Sequence, residues 1–171
     1  MVAAFVQRTM HERYGSDAYA LPELVFTAWR GNELLGAMAL STSDGEPFHL
    51  EQTYAIDYGT FPTVFERTKI VELGRWAAKV PNIAETLFYN AIVYALKCGY
   101  EWGIGEVKPQ VARRFARMGI QIIVLSGKPV LKNIPVGALP YYLVPPPPVP
   151  VAIALADACA VLRKKVGILC S

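Results

Sequence analysis

Apolar residues recur along the chain at two spacings, and the places where the spacing changes mark its elements. Val2, Phe5, Val6 and Met10 fall at helical spacing over residues 2–14, and Gly15 follows as a stop. Residues 24–30 then read as a strand, Gly31-Asn32 as a hairpin turn, and residues 33–42 as the returning strand. Ser43-Asp44-Gly45 is another turn, and residues 48–54 predict a third strand. Residues 57–66 are irregular around Gly59 and Pro62, and residues 70–78, IVELGRWAA, predict an apolar strand. Asn82, with Glu85 three positions later, predicts a capped helix that ends at Gly99 after Lys97. A strand over 100–107 precedes a short helix that Pro109 opens and Gly119 closes. Residues 120–126 and 139–144 predict two more strands, and residues 151–165 a terminal helix with a basic end.

This order predicts an α+β fold with a single mixed, mostly antiparallel sheet flanked by helices. With 171 residues, neither an internal repeat nor a linker, the expectation is one domain over residues 1–171. The proline-rich segment 145–150 should lead extended into the C-terminal helix.

Composition narrows the function classes. The chain is 53% hydrophobic and 18% charged, with a net charge of +3, too weak to argue for a nucleic-acid partner. Three cysteines (Cys98, Cys159, Cys170) have no framework spacing, and His11 and His49 are isolated, so reduced thiols in a cytoplasmic protein and no metal site are expected. The opening M-V-A-A-F-V-Q-R lacks the basic segment of a signal peptide. Residues 133–156 carry no charge, but seven prolines there oppose a membrane-spanning helix. Peripheral contact with the inner membrane stays open.

Glu72 and Arg75 are the chemical oddity of the 70–78 strand. Strict alternation would point them to opposite faces. Gly74 between them predicts a bulge at Leu73-Gly74 that brings both to one side, facing a cleft. An apolar setting would raise the Glu72 pKa and suit it as a base, and Glu51 is the second candidate. Arg75 suits the carboxylate of an acceptor, or a bidentate bond to Glu72. The pair also reads as a buried structural salt bridge, and Trp29, Trp76 and Trp102 read as core.

F-H-L-E (48–51), I-V-E-L-G-R-W-A (70–77), G-Y-E-W-G (99–103), R-R-F-A-R-M-G-I (113–120) and P-Y-Y (140–142) occur in that order. Over residues 8–155 this series resembles the thermostable hemolysin family. That family is related to the acyl-homoserine lactone synthases and long-chain N-acyl amino acid synthases, on an acyl-CoA N-acyltransferase (GCN5-related, GNAT-like) fold. The E-x-x-R pair is more similar to the autoinducer and acyl amino acid synthases, since many hemolysin-type members carry Asn at the arginine position.

The resemblance implies transfer of a fatty acyl group from a thioester to the amine of an amino acid or related small molecule. Catalysis would then fall to Glu72, Arg75 and Glu51. The donor's 4'-phosphopantetheine would lie along Trp76, Ala77, Lys79, Asn82 and Ile83, with no tightly bound cofactor. K-V-P-N-I-A lacks the glycines with which such folds wrap a coenzyme A pyrophosphate, which favours acyl carrier protein as donor and partner. Arg113, Arg114 and Arg117 would present a basic face to that acidic protein, although such faces are usually only solvated. Two other readings stand beside this one: a membrane-active or lipid-binding protein using the apolar segment from Ile134 onward, and an inactive relative serving as a binding subunit.

Overall fold

The computed structural model describes every residue except 23, 62, 63, 65, 170 and 171, so Pro62 and Cys170 lie outside the described residues. Helix α1 (Val2–Tyr14) ends at Gly15 in the left-handed region, with φ 60. Strands β1 (Leu24–Arg30) and β2 (Glu33–Ser41) form the expected hairpin. They are followed by a short helix α2 (His49–Thr53), strand β3 (Tyr54–Asp57) and strand β4 (Ile70–Ala78). Then come α3 (Pro81–Lys97), β5 (Trp102–Val107) and α4 (Pro109–Met118), followed by β6 (Ile123–Val124) and β7 (Ser126–Pro129). The chain closes with α5 (Leu139–Leu143), β8 (Val149–Ala154) and α6 (Leu155–Leu169).

Six strands share one sheet in the order β1-β2-β4-β5-β8-β6, in which only β4 and β5 run parallel. β3 and β7 pair in a second, two-stranded sheet. Alternation along β4 and β8 divides the core. Val71 and Ile153 face Phe88, Ile92 and Leu162 on the α3–α6 side, whereas Ile70 and Ala152 face Leu50, Ile134 and Tyr142 on the α2–α5 side.

Several expected elements differ. Residues 48–51 open α2 rather than a strand, because their first N–H groups meet the Glu72 carboxylate on β4. Residues 139–144 hold α5, with Pro140 in the first turn, where its missing N–H costs nothing. The apolar run after the prolines begins as β8, because it fills the gap between β5 and β6; only from Leu155 does it become helix. The strand expected over 120–126 shortens to β6 because only Ile123 and Val124 pair with β8. Pro81, not Asn82, starts α3, and Glu85 turns to Arg114 and Lys165 instead of capping.

Residues 133–156 supply much of the interior: Ile134, Ala138, Tyr142 and 151–153 are buried. Among the described residues no helix is long and apolar enough to cross a membrane.

Candidate active site

β4 and β5 pair only from Ile70–Trp102 to Glu72–Ile104, although both strands run on. At the parting point the backbones are close. A Cβ on Gly105 would come within 2.6 Å of the Leu73 carbonyl oxygen, so only glycine fits there. Beyond it the strands splay, and a cleft of about 140 Å³ opens between them.

The splay coincides with a bulge on the other edge of β4. Gly74 pairs with Ala39 and Ala77 with Ala37, so Met38 alone faces both Arg75 and Trp76. The bulge thus falls at Arg75-Trp76, two residues beyond the expected Leu73-Gly74, which pair regularly with Leu40 and Ala39, and Arg75 carries the left-handed conformation, with φ 48. For a residue with a Cβ this costs roughly 1–2 kcal/mol. The extra residue reverses the facing of the rest of the strand. Trp76 joins Leu73 on the α3 side, where it stacks against Phe88 and Phe115 with ring centroids at 5.2 and 5.4 Å. Arg75 turns to the Glu72 side and lays its guanidinium over the Tyr19 ring, 5.7 Å from the centroid.

Glu72 and Arg75 therefore line one cleft without forming an ion pair with each other. Glu72 is 3% exposed; its Oε2 accepts from the His49 N–H at 2.7 Å and its Oε1 from the Leu50 N–H at 3.1 Å. Burial raises its pKa, while the Arg75 charge and the two backbone bonds pull the other way. By fastening α2 to β4, this carboxylate sets His49 into the cleft against Tyr19, centroids 3.8 Å apart. Burial and the Arg75 charge push the His49 pKa down to about 3, so the ring is neutral.

Across the cleft, Glu106 on β5 accepts the Tyr142 hydroxyl at Oε1, 2.7 Å away. Burial pushes its pKa up to about 7, the nearby Glu72 adds to the rise, and Tyr142, Arg75 and Lys108 oppose it. Lys108, 3% exposed, donates to the carbonyls of Val144 and Pro146 at 2.9 and 3.0 Å and so ties down the loop after α5. The segment after α1 joins the lining through Asp17, Ala18 and Tyr19, and the Asp17 N–H donates to the Gly137 carbonyl at 2.8 Å.

Five buried side-chain atoms among the described residues lack a hydrogen-bond partner: Tyr19 Oη, His49 Nε2, Arg75 Nε, Trp76 Nε1 and Glu106 Oε2. All five residues line this cleft. Unpaired buried polar groups cost about 1–3 kcal/mol each, so their convergence makes this cleft the candidate site for a polar ligand or water.

The other expected residues sit elsewhere. Glu51 lies outside the lining: Arg67, the Tyr58 hydroxyl and the Phe48 N–H engage both its oxygens. Ala77 is buried beside Val6 and Ala37, and Lys79 pairs with Glu33 at 2.7 Å. Asn82 is exposed in the first turn of α3, and Ile83 packs toward Gly36. Arg113 and Arg117 are exposed on α4, whereas Arg114 pairs with Glu85 at 2.8 Å. Trp29 is 45% exposed on β1, not core. Sequence reasoning missed Tyr19, Glu106, Lys108 and Tyr142 and read His49 as an isolated residue. The G-I-G-E run was the available signal, since alternating glycines in a strand mark a close approach. Among the described residues no His, Cys, Asp or Glu cluster could hold a metal.

The chain matches the sequence pattern of the thermostable hemolysin family over residues 1–129. No curated protein matches it significantly. Its fold is similar to that of TofI, solved in a ternary complex with an inhibitor and MTA: TM-score 0.65, 19% identity, 94% of this chain and 86% of that one covered. It is also similar to FeeM, an N-acyl amino acid synthase from uncultured soil microbes (TM-score 0.64, 18% identity, 96% and 89% covered). The CoA-dependent acyl-homoserine lactone synthase BjaI, with SAM and isopentyl-CoA, gives TM-score 0.63 at 13% identity over 97% and 81%. These likenesses show a shared fold.

Proposed function

We propose that this chain, which belongs to the thermostable hemolysin family, is an N-acyltransferase that moves a fatty acyl group from a pantetheine thioester to the amine of an amino acid or related small molecule. One observation carries the reading: the five unpartnered polar atoms converge on the cleft where β4 leaves β5. A thioester laid along β4 would meet strand backbone that has no ladder partner on the β5 side beyond Glu72. The Trp76–Phe88–Phe115 stack, with Met38 and Ile153, offers an apolar wall to the acyl chain. Arg75, with no ion pair among the described residues, suits an acceptor carboxylate.

Glu72 serves this site by position, since both its oxygens already hold α2. Acyl carrier protein is the favoured donor. Pro81 opens α3 without an N–H for a pyrophosphate, and Arg113 and Arg117 lie exposed for an acidic partner. Fatty acyl carrier protein and fatty acyl-coenzyme A, supplied in parallel with a panel of amino acids, test the reading by mass spectrometry. An N-acyl amine formed faster from the carrier protein supports it, and no amide from either donor refutes it.

A further inference from the structure

We propose that Glu106 is the proton carrier of the reaction, taking a proton from the attacking amine and returning it to the departing thiol. This inference rests on the acyl-transfer reading above. Geometry separates Glu106 from the other carboxylates near the cleft among the described residues. Glu72 has both oxygens on backbone N–H groups. Asp17 is exposed and accepts from Gln7 at 2.6 Å, and Glu51 is clamped outside the lining. Among the described residues, only Glu106 pairs a fixed oxygen with a second oxygen that is buried and unpartnered. Oε1 is held by Tyr142, and Oε2 is sealed from solvent, unpartnered and part of the cleft lining.

The surroundings suit that task. Arg75 and Glu72 face it from β4, Lys108 from the end of β5, and Tyr142 and Tyr141 from α5; Tyr19 and Tyr54 complete the ring. The phenols stay neutral, because burial and the Glu106 charge raise their pKa. Burial and Glu72 outweigh the two cations, leaving Glu106 near 7, where a group can both accept and give back a proton. His49, held near 3, is too weak a base.

The step balances without another reactant. The amine lone pair attacks the thioester carbonyl carbon, and a C–N bond forms as the carbonyl π pair moves onto oxygen. The nitrogen proton passes to Glu106 Oε2. Re-forming the carbonyl breaks the C–S bond, the sulfur leaves with the bonding pair, and it takes the proton from Glu106. Amide, free thiol and the carboxylate remain.

The test compares the full-length wild type with Glu106→Gln and Glu106→Asp, using acyl carrier protein thioester and the best acceptor. Gln can still accept from Tyr142, so below about pH 4.5, where Glu106 is protonated, its melting profile should stay close to wild type. The expected result is a fall in kcat of roughly a hundredfold or more, with the acceptor KM within about threefold. The rising limb of the wild-type pH profile near neutrality should vanish in Glu106→Gln and survive, at reduced rate, in Glu106→Asp. A Gln variant within about fivefold of wild-type kcat, or one that keeps the same limb, overturns the assignment. If the wild type itself forms no amide, the acyl-transfer reading fails first; wild-type turnover with an unimpaired Gln variant removes Glu106 alone.

Discussion

The His49 N–H donates to Glu72 Oε2 at 2.7 Å, so a side chain of β4 holds the start of a helix that precedes it by more than twenty residues. Leu50 adds a second bond to the same carboxylate. Glu72 is thus the hinge pin between the sheet and the α2 wall of the cleft. Replacing it by Gln keeps one acceptor but sets an amide NH₂ against a backbone donor. Glu72→Gln should lose roughly 1–3 kcal/mol in denaturant unfolding and release His49 from Tyr19. Lost activity in this variant should track lost stability.

Arg75 makes the opposite trade. Its left-handed backbone is a strain that glycine would relieve. Arg75→Gly should therefore match or exceed wild-type stability, by up to about 1 kcal/mol, while the KM for a carboxylated acceptor rises about tenfold or more. Thermal melts and steady-state kinetics on the same preparation check both halves.

Glu51 is clamped by Arg67 and Tyr58 away from the cleft, and its pKa is lowered by these bonds although burial opposes them. Glu51→Gln should cost roughly 1–3 kcal/mol of stability and leave kcat within about twofold at temperatures where the variant stays folded. A hundredfold loss of kcat in a fully folded variant would return Glu51 to the chemistry.

Glu106 also leaves a mark on stability. Its folded pKa, about 7, lies above the ordinary carboxylate value of 4.5, so the folded state binds more protons between those limits. Its contribution is fully present below about pH 4.5 and is lost as pH rises through 7. The full change is on the order of 3 kcal/mol. Unfolding midpoints measured from pH 4.5 to 8 should fall more steeply for wild type than for Glu106→Gln.

Sequence periodicity carried the hairpin, β4, α3, β5 and α4, because each has local punctuation: Gly31-Asn32, Pro109, Gly119. It failed where a distant partner decides. Residues 48–54 alternate like a strand, yet α2 forms because Glu72 caps it from another element. V-A-I-A suits helix or strand, and only the vacancy between β5 and β6 selects β8. Within the site, Gly74 announced a bulge, but which neighbour took the left-handed angle depends on the Met38 register. Glu106 could not be singled out, since its fixed oxygen depends on Tyr142, 36 residues later.

The most direct measurement of the central claim is the rate of amide formation from acyl carrier protein thioester with two matched acceptors, an amino acid and the same amine without its carboxylate. Wild type should acylate the amino acid at least about tenfold faster, and Arg75→Gly should lose that preference. No amide from either acceptor, or a preference unchanged by the substitution, would contradict an acyl-transfer cleft that seats its acceptor on Arg75.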